Sequence, residues 1–291
     1  GALGMVGKSL VKKLKNNGYG LTENGGKILV PNRSELNLLN QNLVQEWFEI
    51  NKPDVVILAA AKVGGIFANS NYPFDFISEN LKIQSNVIEA SWKNGVKRFL
   101  FLGSSCIYPK FAKNPIREES LLQGSLEKTN EWYAIAKIAG IKLCQALRIQ
   151  HGFDAISLMP TNLYGPGDNY DPQNSHVLAA MLERYISAKA KNLSQVTCWG
   201  TGNPKREFLH SEDLANACIF ALEKWDPMAE NAPLDENNNP LTILNVGTGK
   251  DISIKDLSVL ISELVGFKGV TNWDTSKPDG TPRKKLNISK I

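Results

Sequence analysis

The sequence has no apolar run near the roughly 20 residues that a membrane-spanning helix needs, so no membrane association is expected. Cysteine is scarce. Cys106, Cys144, Cys198 and Cys218 stand far apart, without a CxxC pair or a metal-ligand spacing. That pattern points away from a zinc site and a disulfide framework and towards a reducing, cytoplasmic compartment, with no metal expected. No charge of one sign dominates: the 33 basic residues are scattered and the net charge is +4. A nucleic-acid partner is therefore not expected, although small anionic ligands would be tolerated. Internal repeats and low-complexity tracts are also missing, which removes solenoids and propellers.

What is present suits a soluble globular protein, with 42% hydrophobic and 21% charged residues. A chain of 291 residues can build one large α/β domain or two smaller ones. The periodicity predicts helices over 38–50, 75–93, 131–149, 177–189, 214–224 and 254–265, and a first helix carrying Val6, Leu10 and Leu14 at a spacing of four. Short apolar runs at 27–30, 54–60, 99–102, 155–159 and 242–246 read as strands, and the nearly all-apolar 54–60 as one buried on both faces. Strands alternating with helices predict a doubly wound, Rossmann-like parallel sheet. After residue 167 the rhythm loosens. A dinucleotide-binding domain over 1–163 and a smaller substrate domain over 164–291 are expected, with about 211–225 and 242–249 returning to the sheet. Residues 279–285 read as a Gly/Pro/basic loop.

Three stretches carry chemistry. Gly1, Gly4 and Gly7 form a GxxGxxG run leading into a helix, where backbone N–H groups can meet a pyrophosphate. The strand that normally precedes such a turn is expected upstream of Gly1. An acidic residue after the second strand would hold the ribose 2′-hydroxyl of NAD; Arg33 stands there instead and favours the 2′-phosphate of NADP(H) over a merely solvated surface arginine. At the centre, the run 99–102 ends at Gly103, followed by Ser104, Ser105 and Cys106. Strand ends of this kind bind ligands in open parallel sheets. Farther on, Tyr133 and Lys137 lie four apart and share a helix face. Alone they fit an ordinary helix pair. Beside a strand-end serine they fit proton delivery to a carbonyl, with the lysine expected to lower the pKa of the phenol.

With these motifs in one order, the chain resembles the extended short-chain dehydrogenase/reductase family. AAAKVGGI (59–66), LGSSCIYPK (102–110), YAIAKIAGIKLC (133–144), MPTNLYGP (159–166), NSHV (174–177), REFLH (206–210), NVGTG (245–249) and SKPDGTPRK (276–284) extend the resemblance over essentially the whole chain. They point to the members that epimerise and then reduce a GDP-4-keto-6-deoxy sugar. The resemblance implies Ser104, Tyr133 and Lys137 as the reductase residues and Cys106 with His176 as the epimerase acid–base pair. It implies NADP(H) contacts from Gly1, Gly4, Met5, Val6, Gly7, Arg33, Ala60, Ala61, Lys137, Pro160, Asn162, Leu163 and His176. For the GDP-sugar it implies Arg184, Trp199, Arg206 and Lys277, and for assembly a homodimer through the helices at 75–93 and 131–149. Some relatives have a basic residue between the first two glycines; Leu3 stands here, leaving Arg33 as the main 2′-phosphate candidate.

By composition alone Cys106 also reads as a small buried hydrophobe and Trp199 as a core aromatic. His176 also fits a cap, while His151 and His210 read as structural. A nucleotide-sugar 4-epimerase, a 4,6-dehydratase or ketoreductase, and a catalytically silent NADP-binding regulator remain alternatives on the same fold. Retention of both Tyr133 and Lys137 speaks against the last.

Overall fold

The computed structural model describes residues 1–21, 23, 26–171 and 174–291. Helix α1 (Met5–Asn16) starts at an extended Gly4, with no side-chain cap and no acidic residue in its first turn. Leu10 enters the core with Val6 packed against it. Residues 27–30 pair with no described strand, and Val30 is exposed. The strand expected there is not formed, because a strand exists only through the ladder to a neighbour. Helix α2 (Gln41–Asn51) begins later than its apolar pattern suggests. Asn40 accepts from the Leu43 N–H at 3.2 Å and sets the cap, leaving Leu38 and Leu39 outside.

Strand β1 (Val55–Leu58) leads through small residues to α3 (Ile66–Asn71), a short helix that periodicity did not reveal, and then to α4 (Pro73–Lys93). A proline in the first turn suits α4, since that N–H has no intrahelical acceptor. Strand β2 (Arg98–Leu102) is buried from Phe99 onward. Helix α5 (Glu131–His151) closes on Gly152 at φ 66, a left-handed position that glycine occupies without strain. Strand β3 (Ala155–Pro160) is wholly buried, and β4 (Asn162–Tyr164) follows directly. The remaining elements are α6 (Val177–Ala190), β5 (Gln195–Trp199), β6 (Lys205–His210), α7 (Ser211–Lys224), β7 (Ile243–Val246), β8 (Asp251–Ser253), α8 (Ile254–Val265), β9 (Val270–Asp274) and β10 (Arg283–Lys284).

Strands β1, β2, β3 and β7 form one parallel sheet in that order. Helices α4 and α5 pack together on it, and α7 packs against both α1 and β2. The chain is thus an α/β protein with a Rossmann-like parallel sheet. A second sheet has the order β10-β6-β4, with β8 antiparallel to β6, and β5 pairs with β9. The stretch expected as a loop at 279–285 therefore contains a strand: β10 runs parallel to β6, placing Lys284 opposite Arg206. Two-residue strands have no readable alternation, so local pattern could not announce it. Burial falls into two clusters, a large one around the parallel sheet and a smaller one around Tyr185, Val196, Ile261 and Phe267. Among the described residues no helix is long and apolar enough to cross a membrane.

Candidate active site

The exit of β2 organises the site. At Gly103 a side chain would meet the Met159 sulfur at 2.7 Å and the Leu158 carbonyl at 3.3 Å, so glycine lets the chain leave the sheet close to β3. Ser104 then turns the backbone into a single 3₁₀ turn, its hydroxyl accepting from the Cys106 N–H at 3.2 Å. From α5, Tyr133 brings its phenol to hydrogen-bond with Ser104. One turn later Lys137, 5% exposed, donates to the Leu102 carbonyl at 2.8 Å. Its ammonium overlooks the rings of Phe101 and Tyr133 at 4.8 and 5.8 Å.

Burial sets the protonation states here. It pushes the Lys137 ammonium down to about 8. It also drives the Tyr133 phenol well above its ordinary range, with the negative charge of Cys106 as thiolate adding to the rise and the Ser104 hydrogen bond opposing it. The lowering of Tyr133 expected from Lys137 is therefore not what this arrangement produces. The ammonium is spent on a carbonyl and a ring face, and desolvation of the phenolate wins. A protonated Tyr133 is the form that can donate.

Cys106 is half-buried, and its sulfur accepts from Lys284 Nζ at 3.4 Å and from Asn130 Nδ2 at 3.5 Å. Burial raises the thiol, but the charge of Lys284, hydrogen bonds from Ser104 and Lys284, and the charge of Arg206 together bring it below its usual value. His176 precedes α6 in an extended conformation and opens onto the cleft. Enclosure by the cleft walls lowers its imidazole, Asp168 opposes that, and Lys284 adds to it.

One continuous cleft of about 1020 Å³ joins these residues to the glycine turn. That lies at the top of the range for small-molecule sites, roughly 300–1,000 Å³, and the run of the cleft from the glycine turn to Arg206 suits a dinucleotide beside a sugar nucleotide. Gly1, Gly4, Met5, Val6 and Gly7 line one end. The turn is tight: a side chain at Gly7 would meet the Gly1 carbonyl at 2.1 Å, and one at Gly1 the Ala59 carbonyl at 2.3 Å. Gly4 is different, its space open except for the Gly1 carbonyl at 3.5 Å. An uncapped helix N-terminus over an open cradle fits a pyrophosphate. Arg33 lies exposed on the same wall, held out by a turn in which Asn32 accepts from the Ser34 and Glu35 N–H groups. Ala60, Ala61, Pro160, Asn162 and Leu163 line the middle. This donor set fits a 2′-phosphorylated dinucleotide.

Towards the other end the cleft meets His176, Arg184, Trp199 and Arg206. Arg184 donates to the Thr197 carbonyl at 2.8 Å, and Arg206 to the Asp279 carbonyl at 3.2 Å, so both guanidiniums are oriented by backbone oxygens. Lys137 stands behind Tyr133, and Lys277 stands outside the cleft wall with its ammonium 5.6 Å over the Trp199 ring. Phe67, from the unanticipated α3, lies 6.5 Å from Trp199. Lys284 and Asn130 are the contacts that sequence reasoning missed. Lys284 ends the run 276–284, in which the resemblance implies a role for Lys277 alone. His151 stacks on Trp92 at 4.4 Å and His210 caps α7, both away from the chemistry.

The sequence pattern of the NAD dependent epimerase/dehydratase family matches residues 1–235. The chain is 53% identical over 291 residues to the putative GDP-L-fucose synthase 2 of Arabidopsis thaliana, covering 100% of this chain and 83% of that protein. It is 50% identical over 291 residues to the GDP-L-fucose synthase of Escherichia coli (strain K12), covering 100% and 88%. Among solved structures it resembles MlghC, a GDP-mannoheptose C4 reductase from Campylobacter jejuni with NADP bound, at a TM-score of 0.84 and 36% identity, covering 100% of this chain and 89% of that one.

Proposed function

This chain belongs to the NAD dependent epimerase/dehydratase family, and we propose that it converts GDP-4-keto-6-deoxy-D-mannose to GDP-L-fucose by 3,5-epimerisation and NADPH-dependent reduction at C4. One observation carries this reading beyond the likeness to GDP-L-fucose synthases. Ser104 bridges a protonated tyrosine and a cysteine whose sulfur is surrounded by donors, so carbonyl activation and a second proton-transfer group meet at one strand end.

Tyr133 and Ser104 hold the C4 carbonyl oxygen by hydrogen bonds, which makes the protons at C3 and C5 acidic. Cys106 as thiolate takes such a proton: an S–H bond forms, a C–H bond breaks, and the electron pair moves onto the oxygen at C4. His176, from the loop before α6, returns a proton as imidazolium to the other face of the carbon; solvent then takes the thiol proton and reprotonates the imidazole, and the sequence repeats at the second centre. When bound, NADPH would supply the hydride for C4, and Tyr133 is the group that gives the proton to the C4 oxygen. Gly4 and the first turn of α1 hold the dinucleotide pyrophosphate and Arg33 its 2′-phosphate. Arg184 and Arg206 hold the diphosphate of the sugar nucleotide, with Trp199 against the base or sugar and Lys277 at the rim.

The test follows NADPH oxidation and solvent deuterium at C3 and C5. Wild type should consume NADPH and label both carbons, whereas Cys106→Ser should lose labelling. NADPH consumption with no label at either carbon would instead make this a plain 4-ketoreductase.

A homodimer is part of the reading. Trp132, Ile135 and Ile149 lie exposed along α5, beside the exposed Phe74 on α4, and two copies of this face would bury one another. A monomer by light scattering at micromolar concentration would refute it. A cytoplasmic location is supported by the chemistry of Cys106, which acts only while reduced.

A further inference from the structure

Lys284 is buried, at 8% exposure, and no carboxylate lies within ion-pair distance of it among the described residues. A buried ammonium without a counter-charge is costly, and such groups are normally paired. Its polar neighbour at 3.4 Å is the sulfur of Cys106. That sulfur meets donors on its other sides as well, the Asn130 amide at 3.5 Å and the hydroxyl of Ser104. A shell of donors around sulfur suits an acceptor-only thiolate.

The lysine is placed by its backbone. Strand β10 is too short to hold itself, but the two residues that follow it are pinned. The Lys285 N–H donates to Asn114 Oδ1 at 2.9 Å. The Leu286 N–H donates at 2.8 Å to Glu207 Oε2, and Glu207 is fully buried in β6. The other oxygen of the same carboxyl group takes the Gly249 N–H at 2.6 Å, tying down the turn after β7.

We propose that Lys284 is a positioning residue for the epimerisation, its ammonium pairing with Cys106 as the thiolate so that the base is formed before substrate arrives, on a strap that Glu207 clamps. The proton lost by the thiol goes to solvent, and the lysine keeps its own. The other titratable groups facing the pair are Arg206 from β6, which adds positive charge, Tyr133 from α5, and His176 before α6, which feels Lys284. Glu127 and Asp279 bear on Arg206. This inference rests on Cys106 being the base in the proposed function.

The experiment measures iodoacetamide alkylation of Cys106 against pH, with Cys106→Ser as the blank for Cys144, Cys198 and Cys218. Lys284→Met and Lys284→Arg are compared with wild type, each checked for NADPH binding. In Lys284→Met the midpoint should rise by about one pH unit, a roughly tenfold slower alkylation at neutral pH, because a tenfold change in thiolate corresponds to one unit. Deuterium labelling at C3 and C5 should slow by a similar factor, and Lys284→Arg should recover both. An unchanged midpoint in Lys284→Met overturns the proposal. A shifted midpoint with unchanged labelling overturns it too, and locates the failure in Cys106 as the base. Where Lys284→Met does not bind NADPH, wild type decides: a midpoint at or above the ordinary ~8.5 of a free thiol refutes the pairing.

Discussion

Lys137 donates to the Leu102 carbonyl at 2.8 Å, and its ammonium only overlooks the ring of Tyr133 at 5.8 Å. The residue that reads as a partner of the tyrosine is, in the first place, a tie between α5 and the last residue of β2. It holds the helix that carries Tyr133 against the loop that carries Ser104 and Cys106. Its cost is a charge in a dry place.

That cost has a sign. The Lys137 ammonium falls to about 8 in the folded chain from 10.5, so between those values the unfolded chain binds the extra proton and stability rises with pH. Relative to Lys137→Met, wild type should gain up to roughly 1.4 kcal/mol per pH unit from about pH 8 to about pH 10. Urea midpoints at the two ends measure it; parallel slopes for the two proteins would contradict the burial argument.

Tyr133 behaves oppositely. Burial keeps its phenol protonated through the neutral and mildly alkaline range, so ketone reduction should show no falling limb from this group below about pH 10. Tyr133→Phe should slow reduction by about 10²–10⁴-fold, the usual contribution of a positioned general acid. Single-turnover NADPH oxidation across pH reads both; a loss below threefold would remove Tyr133 from proton donation.

Two glycines of the turn should separate cleanly. At Gly7 a methyl group meets backbone at 2.1 and 2.5 Å, so Gly7→Ala should destabilise the chain by about 1–3 kcal/mol. Gly4 has open space and an ordinary backbone angle of φ −75. Gly4→Ala should leave stability within about 0.5 kcal/mol, yet weaken NADPH at least about tenfold by occupying the cradle. Thermal melts beside NADPH fluorescence titrations give the answer. Unimpaired binding in Gly4→Ala would place the pyrophosphate elsewhere.

Among the described residues none pairs with the Arg33 side chain, which stands exposed on the cleft wall. Losing charge-assisted hydrogen bonds to a phosphate costs about 1.5–3 kcal/mol, so Arg33→Ala should raise the KM for NADPH about 10- to 100-fold. The KM for NADH should stay nearly constant. Equal effects on both cofactors would mean that Arg33 does not read the 2′-phosphate.

Much of this site was legible because it is local or periodic. Tyr133 and Lys137 share a face because helical geometry puts positions four apart in line. The run 99–102 ends at Gly103, so Ser104 and Cys106 had to stand at a strand exit, and the glycine run had to open a helix. Where one local cue outweighed the apolar pattern, boundaries moved, as at Asn40, whose cap delays α2 past Leu38 and Leu39. Residues 27–30 show the opposite case: a strand-like composition forms no strand where no described neighbour completes its ladder.

The sequence by itself determined the long helices, the apolar runs that become β1, β2, β3 and β7, and the residues that meet at the exit of β2, since backbone geometry and burial act there over a few positions. Tertiary structure alone decided the ionisation of those residues and the company they keep. The Tyr133 phenol rises because the fold closes around it. Lys284 reaches Cys106 from 178 positions away, only because β10 docks on β6 and Glu207 holds its flank. Desolvation and charge pairing depend on what surrounds a group in space, and no spacing along the chain encodes that.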